Sequence, residues 1–403
     1  MLKLALRNLF RNPGRTLMTL ASIVFGVVSL ILSGGFVQDV YEQLAEALIH
    51  SQSGHIQVSR AGFHARGTRN PENFLIEDPE GIRRTIRQQP GVADVMARIS
   101  FSGLLSNGRT DWPIVGEGVE PEKEAALGSQ LRITSGEQLA ADQPNQILVG
   151  DGVARTLGLH TGDQVTVLLS TAEGALNSID LRVVGTFQSF SSDFDARAVR
   201  IPLVAAQESL GTRGANSLVV ALQQTDQTNE ALRGLRQRID TRIFEVLAWP
   251  ELNPFYEGVV AVYERQFGVL QVIILLLVLI SVANSVNMSA FERVGEFGTM
   301  MALGDRGGAL FRLLVVENVL LGSGGALVGV VLAVLLALAI SAIGIPMPPP
   351  PDANVGYTAH IRIVPRVLVE ACLVGFSATV VAALLPAWRI ARIPVAEALR
   401  QNQ

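Results

Sequence analysis

The feature that most constrains this chain is a set of four long apolar segments with few or no charged residues. The first, between Arg15 and Asp39, has about 23 uncharged positions, and the second, between Arg265 and Glu292, has about 26. At about 1.5 Å per residue, a helix of the first length spans about 35 Å, which exceeds the roughly 30 Å hydrocarbon core of a bilayer. The pattern predicts transmembrane helices at 16–38, 254–290 (with an outer stalk), 308–345 and 365–388.

Composition agrees with a membrane protein and excludes several other classes. The 403 residues are 49% hydrophobic and 17% charged, and the mean hydropathy is +0.35. A net charge of -4 gives no basic field for nucleic acid. The single cysteine, Cys372, excludes a disulfide framework. Neither lysine, Lys3 or Lys123, lies in a P-loop motif, so ATP would have to be hydrolysed by a separate chain.

No enzyme or metal signature is recognised in the sequence. His50, His55 and His64 lie close together but lack H-E-x-x-H spacing, and no acidic residue completes a site. No G-x-S-x-G or complete G-x-G-x-x-G motif occurs. We therefore expect a chain without catalytic residues, a metal site or a cofactor of its own.

Basic residues predict the orientation of the apolar helices. Residues 1–15 carry four positive charges and no negative one, and the tail 389–403 carries three arginines against one glutamate. Lys and Arg are enriched on the cytosolic side of membrane proteins. Both termini are therefore predicted to be cytosolic, with 39–253 outside and 291–304 inside. Residues 1–15 suit an amphipathic helix on the inner membrane face, with a plain positively charged anchor as the alternative.

The 39–253 segment predicts a large mixed domain, which makes the fold class α+β. Strand-like and helix-like stretches alternate in a split α/β subdomain, and a β-rich insert interrupts it at about 130–203. No helix breaker follows Pro254 before Met301, so one rigid rod of about 70 Å is expected there. Residues 346–364 form a Pro-rich outer loop.

A charged, helix-compatible stretch, Phe291–Gly304, separates the second and third apolar segments. Val294, Phe297 and Met301 fall on one side of a helix. Gly304 suits the residue after a helix end, and Asp305 could cap the next helix. We interpret this stretch as a helix that another protein grips from the cytosol, so that its displacement is carried outward. An ordinary solvated loop helix is the alternative.

Residues inside the apolar segments are expected to hold the helices together. They are the polar Asn284, Asn287 and Glu317 and the small Gly322, Gly325 and Gly329. Amide side chains can form hydrogen bonds between helices in lipid, and glycine allows two helices to approach closely. A charge in the bilayer is costly, so helix capping or an interfacial position is expected for Glu317.

Four stretches resemble the FtsX-like/MacB-type ABC transporter permeases of the mechanotransmission class. They are ALRNLFRNPGRT, ILVGDGVARTLGLHTGDQVTVL, ERVGEFGTMMALG and PAWRIARIPVAEALR. The resemblance covers essentially the whole chain and is closest in layout to the lipoprotein-releasing (Lol-type) permeases. It implies a multi-pass protein of the bacterial inner membrane with a MacB-like core domain in the periplasm.

The resemblance also implies partners and site residues. A dimeric P-loop ABC ATPase would hold ATP-Mg and seat the cytosolic coupling helix. The residues that match the coupling motif are Glu292, Arg293, Glu296, Gly298, Met301 and Gly304, and Phe291, Phe297 and Leu303 join them from the same stretch. A second permease copy or paralogue, membrane lipid and a periplasmic acceptor or chaperone are further expected partners.

The expected function is that of a non-catalytic permease subunit of an ABC exporter moving lipoprotein or lipid-like cargo. One alternative is a non-transporting signal relay that activates an outer partner such as a cell-wall hydrolase, and another is efflux of a small molecule or peptide. A pocket between the first and second transmembrane helices that opens to the outer leaflet would favour export, whereas a sealed interface and a stable outer partner enzyme would favour the relay.

Overall fold

A computed structural model describes residues 2–11, 13–67, 70–127, 131–171, 173–349 and 356–392. The chain divides into two compact units. Unit 1 contains Met1–Glu42, Val259–Pro346 and Thr358–Gln403, and unit 2 contains Gln43–Gly258 and Met347–Tyr357. Most of the predicted tail and part of the Pro-rich loop lie outside the described residues.

Thirteen helices are found in the described ranges. In chain order they are α1 Leu2–Arg11, α2 Pro13–Leu48, α3 Pro79–Arg87, α4 Pro121–Leu127, α5 Asp151–Leu157, α6 Ser192–Asp195, α7 Leu203–Leu210, α8 Thr228–Arg238, α9 Trp249–Leu252, α10 Pro254–Glu292, α11 Val294–Ala302, α12 Gly307–Ile343 and α13 Pro365–Ile390. Single turns of π-helix occur at Ile49–Ser53 and Phe63–Gly67 and of 3₁₀-helix at Pro71–Phe74 and Thr225–Gln227. Of these helices, α2, α10, α12 and α13 are long and apolar enough to cross a membrane.

Twelve strands are found in the same ranges. They are β1 Ile56–Arg60, β2 Val92–Ser106, β3 Asp111–Val119, β4 Arg132–Gly136, β5 Gln146–Gly150, β6 Gln164–Ser170, β7 Leu176–Gln188, β8 Ala198–Pro202, β9 Ser217–Leu222, β10 Phe244–Ala248, β11 Ile345–Met347 and β12 Tyr357–Ala359. The chain is therefore a mixed helix and strand protein, as predicted.

Unit 2 is built on a single ten-stranded sheet with the order β10-β1-β9-β2-β3-β8-β5-β7-β4, and β6 pairs with β2 and β7. The strands of the predicted insert continue this sheet, because β8 runs parallel to β3 and β6 runs antiparallel to β2. The two largest apolar cores of unit 2 lie on it. One includes Ile99, Val149 and Val183, and the other includes Val95 and Leu235.

The long helix that follows unit 2 is interrupted near its end. α10 ends at Glu292, α11 begins at Val294, and Arg293 between them has φ -103° and ψ 7°. The prediction of one unbroken rod from Pro254 to Met301 is therefore wrong at its last turns. No local sequence signal marks this break, and the tertiary contacts of Arg293 described below account for it.

The apolar helices of unit 1 meet through small residues. A Cβ at Gly325 would lie 2.8 Å from Ile23, and one at Gly329 would lie 2.9 Å from Val27, so α12 closely approaches α2 at both positions. Gly322 faces α13 instead. These contacts require glycine because an added methyl group would force the helices apart.

A second set of contacts holds the part of α2 around Asp39, near the point where the unit 1 portion of this helix ends. The buried carboxylate of Asp39 accepts the backbone N–H of His360 at 2.8 Å and the Arg362 Nε–H at 3.2 Å. Arg362 also pairs with Glu42 at 2.7 Å. Because each group of this cluster has a partner of opposite charge or a donor, the segment before α13 is held against α2.

Candidate functional site

The α11 helix ends in a turn that its sequence predicts. Gly304 has φ 109°, a conformation that glycine adopts without steric cost. Its N–H donates to the Met301 carbonyl at 3.1 Å, and the Asp305 N–H donates to the Met300 carbonyl at 3.1 Å. This is a Schellman motif, and the predicted stop at Gly304 is confirmed. The prediction that Asp305 caps α12 is wrong, because Arg306 occupies the N-cap position.

One side of α11 is buried within unit 1. Val294, Phe297 and Gly298 are all buried, and Met301 is partly buried. Phe297 lies in an apolar cluster with Leu310 of α12 and Ala387 of α13. The helix therefore rests on the two apolar helices that follow it in the chain.

The other side of this region is open. Phe291, Glu292 and Gly304 are exposed, and Leu303 keeps 84% of its surface exposed. Glu296 is partly exposed. An exposed leucine and phenylalanine beside a carboxylate provide both apolar area and charge for a partner, the composition of a protein-binding patch.

Arg293 and Glu317 form a buried ion pair beneath α11. Arg293 Nη1 lies 3.0 Å from Glu317 Oε2, and the two side chains are 13% and 8% exposed. Asn8 Nδ2 donates to Glu317 Oε1 at 2.5 Å, and the Arg293 guanidinium lies 5.1 Å from the Phe297 ring centroid. Glu317 therefore does not cap a helix as one of the two expectations had it: its carboxylate is held by Arg293 and Asn8, and its interfacial position stays a prediction.

The N-terminal helix α1 joins the same cluster. Arg11 forms an ion pair with Glu296, which also accepts from Arg293 Nε at 3.4 Å. A polar cavity of about 170 Å³ adjoins these groups, and the buried Asn318 has no partner for its Oδ1 among the described residues. Sequence reasoning missed Asn8 and Arg11, although their place in a basic amphipathic helix was the available signal.

The polar residues of α10 have two different environments. Ser22 and Ser281 hydroxyls lie 2.8 Å apart, and a Thr19–Ser285 hydrogen bond lies one turn along, so hydroxyls bridge α2 and α10. The two asparagines form no such bridge. Asn284 is exposed and Asn287 is partly buried, and in the described ranges neither has a side-chain hydrogen bond. The carboxylate Glu370 of α13 is exposed and pairs with Arg366 at 2.7 Å.

An apolar cavity of about 420 Å³ lies between α2 and α10. Its lining is Ala21, Ser22, Phe25, Ile274, Leu277, Val278 and Ser281. The cavity can take an apolar chain of modest length but has no charged group to bind an ion. In the part of the chain that the structure describes, no group of three or more His, Cys, Asp or Glu side chains could hold a metal.

Family models match most of the chain. The MacB-like periplasmic core domain matches residues 16–238, and the FtsX-like permease C-terminal region matches residues 268–395. The first model alone covers more than half of the chain. The chain therefore belongs to the FtsX-like permeases with a MacB-like core domain, a family of ABC transporter permeases, and the resemblance seen in the sequence motifs is confirmed.

Two named relatives illustrate the range of this family. The chain is 24% identical over 414 residues to the lipoprotein-releasing system transmembrane protein LolC of Xylella fastidiosa (strain Temecula1 / ATCC 700964), covering 98% of this chain and 96% of that protein. It is 24% identical over 362 residues to the macrolide export ATP-binding/permease protein MacB of Shewanella sp. (strain ANA-3), covering 85% of this chain and 53% of MacB. The chain thus spans about half the length of this MacB.

Among solved structures, the periplasmic region of MacB from Actinobacillus actinomycetemcomitans is 16% identical, with a TM-score of 0.37. The match covers 52% of this chain and 95% of that one. The extracellular domain of the noncanonic ABC-type transporter YknZ from Gram-positive bacteria is 15% identical, with a TM-score of 0.35, and covers 48% of this chain and 100% of that one.

Proposed function

We propose that this chain is the permease subunit of an ABC exporter, which converts ATP-driven motion of a separate ATPase into outward movement of lipoprotein or lipid-like cargo. The observation that carries the proposal is the division of α11 into two sides. Phe297 and Arg293 fasten it to α12 and α13, whereas Leu303 and the neighbouring Phe291 stay open for a partner. A helix held in this way transmits force from a bound motor to the apolar helices.

The proposed arrangement places α11 and both termini in the cytosol and unit 2 in the periplasm of a bacterium, with the four apolar helices in its inner membrane. The excess of arginine before α2 and after α13 supports this orientation. The partners are a dimeric P-loop ABC ATPase, which holds ATP-Mg, and a second permease copy or paralogue. Membrane lipid surrounds the apolar helices, and a periplasmic acceptor or chaperone receives the cargo.

Transmission begins at the helix break. Arg293 stands between α10 and α11 and is anchored to Glu317 of α12, so a displacement of α11 reaches both long helices through one side chain. Close packing resists gradual deformation, and the buried ion pair therefore favours movement of these segments as one body. This is the mechanical role that we assign to the coupling residues.

The cargo class rests on the near full-length similarity to a lipoprotein-releasing LolC, which supports lipid-anchored cargo. The apolar cavity between α2 and α10 is compatible with an acyl chain but lies towards the proposed cytosolic end of α2, so it does not separate export from a signal relay. Efflux of a small molecule or peptide remains the second candidate, because the similarity to the macrolide exporter MacB favours it.

A charge on the exposed side of α11 is expected to release the ATPase. Leu303→Glu should reduce the P-loop ATPase that co-purifies with the tagged full-length chain by at least about tenfold, because one contact residue can carry about 1.4 kcal/mol or more. Leu176→Glu is the matched control, since Leu176 in unit 2 is 85% exposed. Quantitative mass spectrometry measures the ATPase. Equal recovery of the ATPase with both variants would show that α11 is not the docking helix.

A further inference from the structure

Four polar residues of unit 2 form a continuous hydrogen-bonded chain where α2 ends. His55 Nε2 lies 3.2 Å from Thr225 Oγ1, which donates to Glu46 Oε1 at 2.6 Å. Glu46 Oε2 lies 3.1 Å from His50 Nε2. The cluster joins the last turns of α2 to the start of the sheet and to the 3₁₀ turn after β9.

The contacts of His55 show which of its ring nitrogens carries the proton. The backbone N–H of Leu222 in β9 donates to His55 Nδ1 at 3.2 Å, so Nδ1 carries no hydrogen. Nε2 must then carry the proton and donate to Thr225. His55 is therefore neutral in this arrangement, and a second proton, which could only go to Nδ1, would break its bond to β9.

His50, by contrast, has a hydrogen-bond acceptor beside each of its ring nitrogens. Its Nδ1 faces the Leu127 carbonyl at 2.9 Å and its Nε2 faces the Glu46 carboxylate, so both nitrogens lie against acceptors and both can donate. The His50 and His55 rings are only 5.7 Å apart, so positive charge at His50 opposes protonation of His55.

We propose that this cluster is a proton-sensitive joint, in which protonation of His55 at Nδ1 breaks its bond to the Leu222 N–H and so loosens β9 from the end of α2. A backbone contact extends the effect to Trp249. The Trp249 N–H donates to the His55 carbonyl at 3.0 Å, and Trp249 packs on Ala45 and Ile49. Loss of the His55 contacts therefore loosens this whole corner of unit 2. The inference does not depend on the exporter function.

The direction of the pH effect follows from the surroundings of His55. Burial, and after it the nearby His50, lowers the pKa of His55 from 6.5 to about 4, against a smaller opposing effect of Glu46. The ordered joint is thus fully stable above pH 6.5 and loses stability as the pH falls towards 4. Between pH 7.5 and 5.0 the ratio of ordered to opened joint should fall by about 30-fold.

Hydrogen exchange on the full-length chain in lipid nanodiscs tests this joint. After correction for intrinsic exchange rates, peptides covering 49–58 and 218–226 should lose about 30-fold in protection between pH 7.5 and 5.0. His55→Gln, which cannot gain a proton in this range, should abolish most of that dependence. His160→Gln alters an exposed histidine of unit 2 and should leave it unchanged.

A further variant keeps the test independent of any folding defect at position 55. His50→Gln removes the positive charge that opposes protonation of His55, so the loss of protection at pH 5.0 should become smaller than in the wild type. A merely structural role of His50 would weaken protection equally at both pH values. The proposal fails if wild-type protection is independent of pH or if His55→Gln keeps the wild-type dependence.

Discussion

Glu317→Leu is expected to destabilise the chain by about 3 kcal/mol, since it leaves the Arg293 guanidinium in the bundle without its closest counter-charge. Arg293 would keep its 3.4 Å contact with Glu296 and its position over the Phe297 ring, and Asn8 would lose its acceptor. The free energy of unfolding, measured by denaturant titration in detergent micelles, should report this loss. The same loosening of α11 should weaken recovery of the ATPase.

Replacing both partners should be less harmful than replacing one. Arg293→Met combined with Glu317→Leu removes the uncompensated charge, so most of the lost stability should return. Glu370→Leu is the matched control, because Glu370 is exposed and pairs only with the exposed Arg366. It should leave the unfolding midpoint nearly unchanged. A double variant as unstable as Glu317→Leu would show that the ion pair does not account for the cost.

Glu124→Ala should produce the largest loss in unit 2, about 3–5 kcal/mol. Arg98 donates to the two carboxylate oxygens of Glu124 at 2.5 and 2.8 Å, and Arg200 approaches at 3.7 Å. All three side chains are almost completely buried. Without Glu124, Arg98 would retain the Gln52 carbonyl, but both guanidinium groups would lose a buried counter-charge.

The pH dependence of this network gives a second readout. Burial opposes ionisation of Glu124, but Arg98 and Arg200 outweigh it and lower the pKa of Glu124 below its usual value. A carboxylate of this kind stabilises the fold above its unfolded pKa and loses that contribution in acid. Glu124→Ala should therefore flatten the acid side of the stability profile.

Thermal unfolding followed by circular dichroism measures the Glu124 effect. Glu122→Ala on the same helix α4 removes an exposed carboxylate and is the matched control. It should shift the midpoint by no more than the variation between preparations. If Glu124→Ala unfolded at the temperature of Glu122→Ala, the buried network would not be a main source of the stability of unit 2.

Local patterns predicted much of the architecture. The four apolar helices follow from runs without charge, and the end of α11 follows from Gly304 because only glycine readily adopts its backbone conformation. The cap of α3 is equally local, because Asp78 Oδ1 accepts the Gly81 N–H at 2.9 Å. These features depend on neighbours within a few residues, which a single sequence displays directly.

Contacts between distant residues could not be predicted in the same way. Asn8 meets Glu317 only because α1 and α12 come together, and the break at Arg293 depends on the same cluster rather than on a local breaker. One signal was available: Arg293 and Glu317 lie at similar distances along the chain on either side of Gly304. A helical hairpin that turns there brings the two charges together.

The pairing of the insert's strands with the rest of the sheet could not be predicted from the sequence for a related reason. The short run AVRIP of β8 is compatible with a strand but does not show whether it pairs with β3 or with a sheet of its own. Parallel pairing of Val115 with Ala198 is a contact between distant parts of the chain, and strand propensity carries no information about it.

Cross-linking from α11 in intact membranes tests the central claim most directly. In a Cys372→Ser background, Leu303→Cys is treated with a short thiol-to-amine cross-linker, and the adducts are identified by mass spectrometry. A P-loop ATPase should be joined to Leu303→Cys and absent from adducts of Leu176→Cys. The claim is contradicted if Leu303→Cys captures no ATPase, or if a membrane-impermeant thiol reagent labels it from outside intact cells.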